Sequence, residues 1–167
     1  MSPRVLILMG SRNDWEVLKD ASRELERLGI AWRAHVASAH RSLVRTLELV
    51  RNGEAEGVGV FICGAGMAAH LAGVVAATTI RPVIGVPLTG GVADGLDALL
   101  STSQMPGGVP VATVAVGKAG ARNAALLAAQ ILALGDRDLD ARLRCLRVEQ
   151  ADAIAAADAT LAEGDRG

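Results

Sequence analysis

Short runs of β-branched and other apolar residues alternate along the chain with longer Ala- and Leu-rich segments whose apolar positions recur at helical spacing, and Gly-rich stretches separate the two. The pattern predicts five strand–helix units. In the first, a strand over residues 4–9 leads through Gly10-Ser11-Arg12-Asn13-Asp14 into a helix with Trp15, Leu18, Leu25 and Leu28 on one face, stopped by Gly29. The second has a strand over residues 31–37, then Ser38-Ala39-His40-Arg41, then a helix bearing Leu43, Leu47 and Val50. A third strand over residues 57–63 passes through Gly64-Ala65-Gly66-Met67 into a small-residue helix over residues 68–79. The fourth pairs a strand over residues 82–86 with a short helix over residues 96–103, and the fifth pairs residues 111–116 with a long helix over residues 119–134. A last amphipathic segment carries Leu139, Leu143 and Leu146 and runs on to about Leu161.

Nearly all-apolar strands in strict alternation with helices imply a parallel sheet covered on both faces. The expected fold is therefore three-layer α-β-α, a doubly wound five-stranded parallel sheet of flavodoxin-like form with an extra C-terminal helix. No repeat, linker or break in composition divides the chain, so residues 1–167 read as one catalytic-sized domain. Residues from about 135 to 167 are more polar and Ala-rich, a helical extension suited to packing on a neighbouring subunit.

Composition narrows the function. The chain is 51% hydrophobic and has no Tyr, one Phe and two Trp, so its core must be aliphatic. Seventeen Lys plus Arg against eighteen Asp plus Glu, with no basic run, argue against a nucleic-acid surface. Any anionic ligand must be met locally. The N-terminal apolar run is too short for a signal sequence or a membrane span, which sets the expectation of a cytoplasmic protein. Cys63 and Cys145 are far apart and lack metal-ligand spacing; Cys63 reads as a small core residue, and no metal is expected.

In an open parallel sheet, ligands bind beyond the carboxyl ends of the strands, near the point where strand order reverses. The loops after the first three strands would share that crevice. They hold Gly10, Ser11 and Asp14; then Ser38, His40 and Arg41; then Gly64, Ala65, Gly66 and His70. Gly10-Ser11 opens a helix, where free amides suit a phosphate, although Ser11 and Asp14 are also ordinary capping residues. Arg41 can clamp a phosphate or carboxylate, and at a helix start its charge opposes the helix dipole, so a compensating anion is expected. His40, beside it, can give and take a proton near neutral pH.

Gly64-Ala65-Gly66-Met67-Ala68-Ala69 matches the relaxed dinucleotide fingerprint, but it lies in the third unit, and residues 81–91 offer no carboxylate for a ribose hydroxyl. The glycines are read as allowing close approach of a smaller ligand. His70 can either reach the crevice or steady its loop. His35, in mid-strand, reads as structural, and Gln104-Met105-Pro106-Gly107-Gly108 as a lid or a subunit contact.

Taken together, Met9-Gly10-Ser11-Arg12-Asn13-Asp14-Trp15, Ser38-Ala39-His40-Arg41, Gly64 to Leu71, Gly85-Val86-Pro87, Gln104-Met105-Pro106 and Gly120-Ala121-Arg122-Asn123-Ala124-Ala125 resemble the catalytic subunit of phosphoribosylaminoimidazole carboxylase. These are the N5-carboxyaminoimidazole ribonucleotide mutases of purine biosynthesis. The resemblance spans about residues 4–134 in order. It implies migration of a carboxylate from the exocyclic nitrogen to C4 of the imidazole, with His40 as general acid/base and no cofactor. It also implies that Ser11, Asp14, Ser38 and Arg41 bind substrate, and that the loop from Gly64 to Leu71 covers the aminoimidazole. A homo-octamer, and coupling to an ATP-dependent enzyme that forms the carbamate, are further implied.

The arrangement Ala39-His40-Arg41 resembles the mutases more than the class that carboxylates aminoimidazole ribonucleotide directly, which has lysine after the histidine. Met67 stands where many members have glycine. Three other readings remain open at this point: direct carboxylation, a non-enzymatic nucleotide-binding module, and a dinucleotide oxidoreductase.

Overall fold

In the computed structural model, which describes residues 2–164, the apolar run Val5–Met9 forms β1 with all five side chains buried. A strand buried on both faces needs helices on both sides. Val5, Ile7 and Met9, with Val60 and Ile62, belong to one core shared with Leu18 and Leu25 of α1 (Trp15–Arg27) and with α5 (Gly117–Ala133). Leu6 and Leu8, with Phe61 and Cys63, form the other core with Val50 of α2 (Leu43–Glu56) and with Leu71 and Val75 of α3 (Leu71–Ala76). The small residues Ala121, Ala124, Ala125, Ala128 and Ala129 are all buried, which lets α5 lie close to the sheet and to α1. Burial pushes the Cys63 thiol well above its ordinary range, as suits a core residue.

The remaining strands are β2 (Trp32–Val36), β3 (Val60–Ala65), β4 (Val83–Pro87) and β5 (Ala112–Thr113). All pair in parallel, in the order β2-β1-β3-β4-β5. This is the flavodoxin-like order, and the chain reverses its direction of travel across the sheet between β1 and β3. A fourth helix, α4 (Leu96–Ser103), packs on β4, and α6 (Arg137–Gly164) follows α5.

Several boundaries differ from the sequence reading, three of them with a clear consequence. The third strand begins at Val60, not residue 57, because Gly57 ends α2 in a left-handed conformation (φ 94°) that only glycine adopts freely. The fifth strand is two residues long, since beyond Thr113 the edge of the sheet keeps only one further backbone bond, from Val114 N to Gly85 O (3.1 Å). Helix α3 starts at Leu71, three residues later than read, leaving the stretch from Gly66 to His70 as loop.

The C-terminal helix is pinned at its start. Asp136 Oδ1 accepts from Leu139 N (3.0 Å), Arg4 donates to Asp136 Oδ2 (2.6 Å), and Arg142 Nε donates to Leu28 O (2.9 Å). Leu139 and Leu146 enter the core, but residues 147–161 are exposed throughout, including Val148, Ile154 and Leu161. Among the described residues no helix is long and apolar enough to cross a membrane.

Candidate active site

The carboxyl ends of β1, β3 and β4, together with the segment after β2, open onto one cavity of about 570 Å³. It is lined by Gly10, Ser11 and Asp14 from the first loop, and by Ser38, His40 and Arg41 from the second. Ala65, Gly66, Met67 and His70 come from the third, and Leu88, Thr89, Gly90 and Gly91 from the fourth. The size suits a nucleotide-sized ligand.

The first loop closes on itself. Ser11 caps a single 3₁₀ turn, Arg12–Asp14, its Oγ accepting from Asn13 N (3.3 Å) while Asp14 Oδ2 accepts from Ser11 N (2.8 Å). The capping use of these two residues is therefore observed, and both also face the cavity. Burial raises the Asp14 carboxyl above its ordinary range, against the lowering effect of the backbone amides of Ser11 and Gly10 and of the nearby Arg41 charge.

The second loop is tied to the first by Arg41. Its Nη2 donates to Gly10 O (3.2 Å) and its Nε to Ser38 Oγ (3.4 Å), while Ser38 N donates to Ser42 Oγ (2.9 Å). Among the described residues no carboxylate lies within ion-pairing distance of the guanidinium, so the anion expected beside a cation at a helix start is not supplied by these residues.

The third loop brings His70 to His40. The two rings meet edge to face, centroids 4.8 Å apart and planes at 83°, with His40 Nε2 2.7 Å from His70 Nδ1. At that distance one proton lies between the two nitrogens, and the tautomer of one ring dictates that of the other. Sequence reading left His70 undecided. A partner thirty residues away along the chain carries no local signal, and only the packing of α2 beside α3 brings the rings together.

Gly64 does not line the cavity. It pairs with Met9 in the sheet, and a Cβ there would stand 2.6 Å from Leu18 Cδ1. Close approach at Gly64 is needed for α1, a packing reason for glycine there that the sequence reading, which took it for ligand approach, did not include. The residues 104–108 also stay outside the cavity; Met105 packs on Gly73 of α3. His35 lies on the outer strand, its imidazole held below the ordinary range by burial and by Arg33 and Arg45. The fourth wall, from Leu88 to Gly91, was missed by sequence reading. Its signal was the Thr89-Gly90-Gly91 turn immediately beyond a strand end.

Among the described residues no cluster of three or more His, Cys, Asp or Glu side chains is placed to hold a metal ion. Fold and site define a doubly wound α/β protein with a polar ligand crevice at the carboxyl edge of its sheet. The family model for AIR carboxylase matches residues 4–153, and the chain belongs to that family.

Its relatives include the N5-carboxyaminoimidazole ribonucleotide mutase of Brucella melitensis, 50% identical over 93% of this chain and 96% of that protein. The enzyme of the same name from Escherichia coli is 47% identical over 90% of this chain and 89% of its own length. The crystal structure of Treponema denticola PurE superposes with a TM-score of 0.87 at 29% identity, covering 95% of this chain and 98% of that one.

Proposed function

We propose that this protein interconverts N5-carboxyaminoimidazole ribonucleotide and 4-carboxy-5-aminoimidazole ribonucleotide in purine biosynthesis. The observation that carries the reading is the meeting of His40, His70 and Arg41, which no carboxylate among the described residues pairs, in one cavity, in a chain whose relatives bear the mutase name.

In this reading Arg41 and the amides around Ser11 hold the 5′-phosphate, where a charge-assisted pair replaces the missing carboxylate. Ser38 and Asp14 orient the ribose side of the ligand. The carbamate C–N bond breaks, the exocyclic nitrogen takes a proton from His40, and carbon dioxide is left beside C4. C4 then forms the new C–C bond, and His40 removes the C4 proton, so the histidine ends as it began and atoms balance as an isomerisation. Positioned proton transfer of this kind contributes about 10²–10⁴-fold. Holding carbon dioxide against C4 in a confined space supplies the rest. The small side chains of Ala65 and Ala68, both at the cavity, leave room for it. His70, sharing a proton with His40, sets which ring nitrogen is free.

The same reading extends to a cytoplasmic homo-octamer fed by an ATP-dependent enzyme that forms the carbamate. Family membership and the exposed far half of α6 support the assembly. The test is to offer the purified protein each substrate alone. N5-carboxyaminoimidazole ribonucleotide should give the C4-carboxylated product without ATP or added bicarbonate. Product formed only from aminoimidazole ribonucleotide with carbon dioxide would instead establish direct carboxylation, and ligand bound without turnover would establish a binding module.

A further inference from the structure

Three residues other than glycine have positive φ among the described residues: Met67 (53°), Ala93 (47°) and Asp94 (51°). Of these, Met67 alone lines the cavity. In this conformation Cβ crowds the carbonyl oxygen that follows, a strain glycine escapes. The bend is held on both sides, by Leu88 N donating to Ala65 O (3.0 Å) and by His70 N donating to Ala68 O (2.8 Å). Met67 is 65% exposed and belongs to neither hydrophobic core. Packing within the fold therefore gives no reason for an apolar side chain on strained backbone at this rim. Outliers of this kind gather at ligand clamps, where the bound state makes use of them.

We infer that Met67 is a one-residue lid. With an aminoimidazole ring seated against the His40–His70 pair, the flexible thioether closes over the outward face of the ring and keeps water from the carbon dioxide being transferred. A thioether suits this use because it is unbranched, polarizable and favours contact with aromatic rings. The assignment rests on aminoimidazole ribonucleotide fitting the site, as the proposed reaction requires.

Titration of the full-length protein with 5-aminoimidazole ribonucleotide and, separately, with ribose 5-phosphate divides ring contact from phosphate contact. Met67→Gly should bind the ring-bearing ligand about tenfold more weakly, the scale of one thioether–ring contact, and ribose 5-phosphate within about twofold of the unsubstituted protein. Met67→Leu, which keeps the apolar bulk, should recover most of the loss. In turnover, Met67→Gly should release a larger share of the bound carbamate as aminoimidazole ribonucleotide and free carbon dioxide. Because the side chain lies outside both cores, the thermal midpoint of Met67→Gly should stay within about 3 °C of the unsubstituted protein, so weaker binding would not be unfolding. Unchanged affinity of Met67→Gly for the ring-bearing ligand, or an equal loss for both ligands, overturns the lid while leaving the reaction standing. Failure of the unsubstituted protein to bind the ring-bearing ligand overturns the substrate reading, and the lid with it.

Discussion

The two ends of β1 carry one arginine–aspartate relationship each, and they are built in opposite ways. At the entry end, Arg4 and Asp136 form an ion pair at 2.6 Å, and Asp136 also accepts from Leu139 N, so its carboxyl is held below the ordinary range. At the exit end, Arg41 has no ion-pairing carboxylate among the described residues, and Asp14 is raised by burial despite the Ser11 amide that donates to it. The entry end satisfies its charges within the fold and locks the start of α6. The exit end leaves a cation and a desolvated carboxylate facing a cavity, the kind of arrangement that marks a candidate functional site. On the proposed function, stability and binding are thus divided between the ends of a single strand.

The sharpest break in that comparison is His40→Asn. At the exit end it should lower isomerisation by at least about 10²–10⁴-fold while leaving the circular dichroism and thermal midpoint unchanged, as measured by formation of the C4-carboxylated product. Substantial remaining turnover would remove His40 from the proton transfer. Next in size is Arg41→Met, which should raise KM about 10–100-fold with a smaller effect on kcat, the loss of one charge-assisted phosphate contact. A fall in thermal midpoint without a change in KM would show that Arg41 serves the fold instead.

The smallest effect is on pH dependence, and it tests the contrast directly. The raised folded value of Asp14 means that its proton favours the fold. That contribution is present below the ordinary carboxylate value and is lost as pH rises through the raised one. The lowered value of Asp136 means the reverse, a contribution present above the ordinary value and lost as pH falls through the lowered one. Thermal midpoints followed from about pH 7 down to about pH 3 should therefore change slope in opposite senses for Asp14→Asn and Asp136→Asn. The same sense for both would end the comparison.

Much of this arrangement was legible before any coordinates. The core strands β1, β3 and β4 are short apolar runs between glycine or proline signals, and a strand buried on both faces must be apolar throughout. Helix α4 falls on the residues read for it. The grouping of Ser11, Asp14, Ser38, His40 and Arg41 follows from the topological rule for parallel sheets, because strand order alone places those loops at one edge. The length of β5 was not legible, since an apolar edge run has the same composition whether or not it keeps a partner.

By itself, then, the chain determined its strand–helix alternation, its three-layer form and the edge at which polar residues collect, because hydrophobic periodicity and turn chemistry are local properties. Only the tertiary structure decided that His70 meets His40, that Leu18 packs where a Gly64 side chain would stand, and that Met67 lines the cavity on left-handed backbone. Each of those depends on where α1, α2 and α3 come to rest on the sheet. That is a matter of contacts between residues far apart in the chain, which no local pattern encodes.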